Sequence, residues 1–346
     1  MPIRDGLGAM CAMVNRSKRG MTLNPTKPAG REVLSRLLRD CDVIVVNVPP
    51  ASRASMGLAW EDVQAANPRA ILVSITAFGE GGPYSDRLGF DSLAQVMSGS
   101  AYLSGSPGQP VKSLAPWADY GTGYALAFAT MTALYSRQST GVGQMVEGAL
   151  LRTALTMFGR ELMEQAVIDA NRPPTLNEGQ TSGPSDMFPT TDGHVFIAVV
   201  GERQFRRWAE LMGEDHWLTD PRFVDDASRG LNREPLCKRL AQWCAERSTA
   251  QAMEELTAAQ LPAGPAYTPA EALLDPHIQA MGFLVPVDYP GIDRPAPTVD
   301  FPVTLSATPG HIRFRAPLVS EHTESILVDL GYTDSEIDAL REQRIV

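Results

Sequence analysis

Two hydrophobic periods alternate through the first half of the chain. Residues 31–40 set Val33, Leu34, Leu37 and Leu38 at helical spacing, and residues 42–48 form a β-branched run. Residues 61–66 fit a short helix and residues 70–76 a second apolar strand. Such alternation predicts a parallel sheet covered by helices. Residues 123–137 then read as a buried helix that ends near Gly141.

Between 171 and 185, Asn, Pro, Thr, Gly and Ser crowd together without a period, which predicts a linker or loop. A second unit follows. Residues 194–200 read as a strand, and 203–212, 232–246 and 249–260 as amphipathic helices. Residues 262–269, with Pro262, Pro265 and Pro269, are extended, and the proline-rich stretch 286–309 reads as a non-periodic return connection.

A chain of 346 residues with 44% hydrophobic content can form one large domain or two. The net charge of −10 argues against a nucleic-acid partner, which needs a basic face. Lys18-Arg19 and the group Arg203, Arg206, Arg207 are the compact basic clusters, read as solvated faces before phosphate sites. Cys11, Cys41, Cys237 and Cys244 form no C-x-x-C pair. Cys237 and Cys244 stand two helical turns apart, roughly 10 Å, too far for an undistorted disulfide. Reduced thiols, no apolar run near the roughly 20 residues of a membrane span and no signal-like start lead to the expectation of a soluble cytoplasmic protein.

The five histidines are scattered without metal-ligand spacing, so no metal site is expected. His322 reads as a packing or hydrogen-bonding residue. Neither G-x-G-x-x-G nor G-x-x-x-x-G-K-[ST] nor G-x-S-x-G occurs. The nearest approach to a phosphate loop, Gly79-Glu80-Gly81-Gly82, runs into Pro83-Tyr84 and reads as a structural turn.

Asp119 carries the most chemistry. It stands between an apolar stretch and the small-residue run Tyr120-Gly121-Thr122-Gly123, at the start of the long helix. A helix N-terminus stabilises a carboxylate, and glycines allow close approach of a substrate. Two roles remain open on these grounds, a helix cap and an anionic nucleophile. Trp117 is likewise either a pocket wall or core.

The text around it, Pro116-Trp117-Ala118-Asp119-Tyr120-Gly121-Thr122-Gly123, followed by Gly141-Val142-Gly143-Gln144, resembles the class III CoA-transferase family (CaiB/BaiF type). So do Asn15-Arg16-Ser17-Lys18-Arg19, the segment from Ser74 to Tyr84, and Pro317-Leu318-Val319-Ser320-Glu321-His322-Thr323 with Leu330-Gly331-Tyr332. Ser320 replaces a glycine of the family pattern. The resemblance implies an α/β fold: a Rossmann-like parallel-sheet large domain with an inserted smaller α+β domain, in an intertwined dimer. On this division residues 1–170 and 290–346 form the large CoA-binding domain, 171–185 the linker with a glycine loop, and 186–289 the small domain.

The same resemblance implies CoA transfer from an acyl-CoA thioester to a free carboxylic acid, with no permanently bound cofactor. Asp119 takes the catalytic place and forms an aspartyl-CoA thioester. The CoA-contacting segments fall on Leu23-Asn24-Pro25-Thr26, Asn47-Val48-Pro49 and Leu88-Gly89-Phe90-Asp91. Asn24 and Thr26 replace an acid and a lysine, and Ser55 stands where relatives hold a phosphate-binding arginine, for which nearby Arg53 is a candidate substitute. The glycine loop falls on Gly179 and Gly183, sparser than in formyl-CoA transferase, which disfavours oxalate or formate as acceptor. Acyl-CoA, a carboxylic acid and a second copy of the chain are the expected partners, with neither nucleic acid nor membrane.

Two alternatives stand beside this. The α-methylacyl-CoA racemases of the family carry a histidine where this chain has Phe90, so transfer is favoured over racemisation. The chain also starts after the family's usual first strand and helix. A non-catalytic truncated homologue, a different start and one half of a split enzyme therefore stay open, and a strand edge and apolar helix face left uncovered, with weakened CoA binding, are expected.

Overall fold

The computed structural model describes residues 2–3 and 7–346. It divides into two compact units, 1–94 with 116–156 and 272–346, and 95–115 with 157–271. The second unit includes 95–115 and 157–170, which the division implied by the resemblance gives to the large domain, while 272–289 falls in the first unit.

In the first unit α1 (Ala9–Val14) and α2 (Pro28–Asp40) precede β1 (Val43–Val46), α3 (Pro50–Met56), α4 (Trp60–Ala66) and β2 (Ile71–Thr76). Then come α5 (Asp91–Met97), whose last residues belong to the second unit, α6 (Trp117–Thr140), β3 (Met145–Ala149) and α7 (Leu150–Met157). The strands pair in parallel in the order β1-β2-β3, with Val43 opposite Ile71 and Leu72 opposite Met145. Successive residues of central β2 serve opposite faces, as a pleated strand requires. Leu72 joins Leu38, Val46 and Val63 on one side, while Ile71 and Val73 join Leu126 and Ala133 of α6 on the other.

The predicted parallel sheet is present, with three differences from the sequence pattern. Its first strand is shorter than 42–48, because Val48 turns into the core and the following Pro49 and Pro50 have no N–H to give a ladder. The third strand was not predicted, since Met-Val-Glu-Gly-Ala neither alternates nor forms a β-branched run. The long helix begins at Trp117 rather than at 123, and only one side of it is buried. Ala118, Thr122, Leu126 and Ala133 face the core, whereas Tyr124, Phe128, Met131 and Tyr135 are exposed. It ends as expected at Gly141, which takes the left-handed conformation (φ 77°) that a C-cap favours.

The second unit is built on an antiparallel sheet of β4 (Ser185–Pro189), β5 (His194–Ala198) and β6 (Ala263–Pro265). Helices Glu202–Met212, Arg233–Ala245 and Thr249–Ala258 supply its core, in which Trp208 and Trp217 stack at 5.0 Å. Cys237 and Cys244 lie on one helix and are free, and burial pushes their thiols up to about 11 and about 12. Back in the first unit, the stretch read as a bare return connection contains a hairpin, Leu284–Val287 against Ala296–Val299. Pro286 and Pro297 are tolerated there because each strand of a two-stranded ribbon is an edge. Among the described residues no helix is long and apolar enough to cross a membrane.

The C-terminal helices Thr323–Asp329 and Asp334–Glu342 pack on α2 through Leu327, Ile337, Leu340 and Val33. His322 has the bonding role expected of it: its Nδ1 accepts from the Gly20 N–H, and its own N–H donates to the Gly20 carbonyl. The chain before α2 is held by the same cluster, with Asn24 N–H donating to the Ile345 carbonyl at 2.7 Å. Gly30 lets that segment approach, since a Cβ there would stand 1.9 Å from the Asn24 carbonyl oxygen. Gly30→Ala is therefore expected to destabilise the fold by about 1–3 kcal/mol, the helix-propensity gain being smaller than the overlap. Urea unfolding of the variant checks this, and an unchanged midpoint would refute the close approach.

Candidate active site

The long helix starts where it does because of a carboxylate from another element. Pro116 at the N-cap has no side-chain acceptor for the first turn. That place is taken by Asp91 at the head of α5, whose Oδ1 accepts the Ala118 N–H at 2.8 Å and the Asp119 N–H at 3.2 Å. Asp91 is buried, and two amide donors together with the positive helix end are the setting a buried carboxylate needs. Asp119 is thus not the cap. Its carboxylate has no hydrogen bond or ion pair among the described residues and is open to solvent. Partial burial raises its pKa above the ordinary aspartate value, and the charge of Asp91 raises it further. A carboxylate made more basic is a better nucleophile.

The turn below is fastened by Thr122, whose hydroxyl bonds the Ala118 carbonyl and the Thr153 hydroxyl, each at 2.7 Å. Trp117 is half-buried against Ala94, Ala118, Leu150 and Ala154, so it is core. On the open side of Asp119 lies a cavity of about 570 Å³ lined by Met10, Val14, Pro116, Tyr120, Gly123, Tyr124 and Ala127 besides Asp119.

A second, polar cavity of about 170 Å³ sits at the carboxyl ends of β2 and β3, between Ser74, Thr76, Glu80, Glu147 and Arg152. Beside it lies Arg53, the sequence candidate for a phosphate contact. It is buried, and its guanidinium grips Glu80 with two 2.9 Å bonds and Ser74 with a third. Burial alone would raise the Glu80 carboxyl, but Arg53, with Ser74 and Glu147, holds it below its ordinary value. An arginine spent on a buried ion pair is not free for phosphate, so Arg53 does not stand in for the missing cation. Arg31 lies closer to Ser55: its guanidinium donates to the Ser55 and Pro25 carbonyls. Nothing in the local pattern marked it, since it reads as one exposed position of an amphipathic helix.

Arg31 also brings Leu23-Asn24-Pro25-Thr26 toward the end of α3. Within that segment Leu23 packs on the C-terminal cluster, and the Asn24 side chain accepts from Thr26 N–H and Oγ. Asn47-Val48-Pro49 leads from the carboxyl end of β1 into α3. Leu88-Gly89-Phe90-Asp91 folds back on the exit of β2, where a Cβ on Gly89 would meet Ala77 at 2.4 Å. Leu88 and Phe90 are exposed. Because the strands are parallel, the last two segments share the carboxyl edge of the sheet, where open α/β sheets bind ligands. Gly179 and Gly183 belong to the second unit and serve close packing, Gly179 against Ser185 and Gly183 against Arg229. The Gly79–Gly82 stretch is the structural turn expected, with Gly79 and Gly81 at positive φ. Among the described residues no cluster of three His, Cys, Asp or Glu side chains is placed to hold a metal.

A parallel α/β sheet with a carboxylate of raised basicity, unpaired among the described residues at a helix start, is an arrangement suited to acyl chemistry. The sequence pattern of CoA-transferase family III matches residues 2–323, and the chain belongs to that family. Formyl-CoA:oxalate CoA-transferase of Rhodopseudomonas palustris is 32% identical, covering 95% of this chain and 83% of that protein. Succinyl-CoA–D-citramalate CoA-transferase of Chloroflexus aurantiacus is 30% identical over 96% of this chain and 83% of its own length. A CaiB/BaiF family protein from Brucella suis has the same fold, with a TM-score of 0.80 at 29% identity, covering 94% of this chain and 84% of that one. The family resemblance is confirmed, and with it the enzyme class, CoA transfer between CoA thioesters and carboxylic acids.

Removing the Asp91 acceptor leaves two N–H groups of the first turn unpaired. Asp91→Ala should cost about 1–2 kcal/mol of unfolding free energy, and Asp91→Asn, which keeps an Oδ1, clearly less. Denaturant unfolding of the pair decides it, and equal losses would mean that charge, not acceptance, is what the helix start uses.

Proposed function

We propose that the chain moves CoA from an acyl-CoA thioester to a free carboxylic acid, with Asp119 as the covalent nucleophile. The observation that carries this is the Asp119 carboxylate itself, unpaired, raised in pKa, and open to a cavity at the start of a helix whose amides are already taken by Asp91.

In the first step an Asp119 oxygen attacks the thioester carbonyl, forming a C–O bond and breaking the C–S bond. This leaves a mixed anhydride and CoA thiolate. The thiolate then attacks the aspartyl carbonyl and expels the donor acid, which yields an aspartyl-CoA thioester. The acceptor carboxylate repeats the two steps in reverse and leaves as the new acyl-CoA, with Asp119 free again. Covalent capture splits one difficult exchange into easier ones, and the thioester energy is not lost to water.

The reading assigns the CoA moiety to Leu23–Thr26, Asn47–Pro49 and Leu88–Asp91, and gives Gly179 and Gly183 the place of the family's glycine loop. Arg31 supplies the cation missing at Ser55, in place of Arg53. It also includes a homodimer, supported by the exposed apolar side of α6 (Phe128, Met131, Tyr135) and by the edge strand β1, where Val45 is exposed. A racemase shuttles protons through a base on each face of the α-carbon, and the exposed Phe90 side chain moves none.

Incubation with acyl-CoA followed by hydroxylamine is expected to leave a hydroxamate on Asp119, read by peptide mass spectrometry, and none in Asp119→Asn. Label on another residue, or full activity in Asp119→Asn, would sink the assignment. In heavy water CoA exchange is expected without deuterium at the α-carbon. Deuterium entering faster than CoA exchanges would favour the racemase chemistry instead.

A further inference from the structure

The cavity beside Asp119 holds information about the substrate that the catalytic carboxylate alone does not. Its walls come from α1, through Met10 and Val14, and from the first turns of α6, through Tyr120, Gly123, Tyr124 and Ala127. The Tyr120 hydroxyl reaches the Met10 sulfur at 3.7 Å, which joins the two walls. Among the described residues Asp119 is the one ionised group that lines the cavity, and neither lysine nor arginine does. The volume of about 570 Å³ falls within the range of small-molecule sites.

From these facts we infer that the acyl group handled at Asp119 is apolar, a medium-length alkyl or aryl acid, and not a second carboxylate-bearing acid such as oxalate or succinate. A dianion would set its far carboxylate against apolar walls, with no cation among the described lining residues to meet it. Asp119 while it is free, and the Asp91 charge behind it, would also repel the dianion. An alkyl or aryl tail gains from the same walls, by about fourfold in affinity for each methylene removed from water. Phe128, Met131 and Tyr135, the side chains that support a homodimer, lie further along the same helix, so a second copy is the competing occupant of the open side of this cavity.

The inference rests on the CoA-transferase reading of Asp119, and the test separates the two. Acceptor profiles are measured with acetate, butanoate, hexanoate and octanoate against oxalate and succinate. Titration calorimetry compares octanoyl-CoA with succinyl-CoA on the same protein. The expected result is a kcat/KM that rises about threefold to fourfold per added methylene, both dianions below butanoate, and octanoyl-CoA bound at least tenfold more tightly than succinyl-CoA. Ala127→Phe, which fills the cavity, should flatten the chain-length series and weaken octanoyl-CoA more than succinyl-CoA. If no acid accepts CoA yet octanoyl-CoA is preferred in the titration, the apolar site stands and the transferase reading falls. A flat series, a preference for dianions, or equal affinity for the two thioesters would overturn the inference whether or not transfer occurs. Equal affinity with a dimer that Ala127→Arg converts to monomer would give this face to a second copy instead.

Discussion

The acceptance of two backbone N–H groups by the Asp91 carboxylate is the contact on which the candidate site depends. A helix start leaves its first amides without partners, and Pro116 offers none from its own side chain. Asp91 fills that need from outside the helix, and so sets where α6 begins and which way its first turn faces. With the amides satisfied, Asp119 has no capping work and its carboxylate stays unpaired. Partial burial raises the basicity of Asp119, and the same negative charge that orders the turn raises it further, so one side chain both sets the turn and tunes its neighbour.

Much of this scaffold was legible in the residues and some was not, for physical reasons. Strand 70–76 and helix 31–40 were readable because β-branched runs and 3.6-residue periods survive in a single local window. The start of α6 was not, because its cap lies 27 residues away in sequence and Asp91 looks like any acid at a loop end. Strand Met145–Ala149 was hidden for a different reason: its Glu147 faces a polar cavity and its Gly148 meets Leu126 closely, so the usual strand composition is absent. The exposed side of α6 illustrates the converse error. Apolar composition predicted burial, yet exposure is decided by what packs on a face, and composition does not carry that.

Arg53 and Arg31 mark the limit of reasoning about charge from sequence alone. Both are cations near Ser55 in the chain or in space, and only partner geometry tells them apart. Arg53 turns inward because Glu80, on the loop after β2, gives it two short bonds that offset the cost of burying a guanidinium. Its role is to tie α3 to that loop. Arg31 stays at the surface with its head on two carbonyls, which leaves it positive charge to offer.

The names of the relatives fix less than the chemistry they share. At 32% and 30% identity one relative is named for formate and oxalate and the other for succinate and citramalate, so whole-chain similarity does not choose an acid. What distinguishes acids is local: whether the walls beyond the nucleophile offer a partner for a second charge. Here they offer methionine, valine, tyrosine and alanine. In the proposed site, discrimination against a dianion follows from apolar walls that offer no partner charge among the described residues, and it requires no residue specialised for rejection. In the reaction proposed for Asp119, α6 would serve both ends of the problem, with the carboxylate on its first turn meeting the thioester and the apolar side chains of the next turn meeting the acyl group.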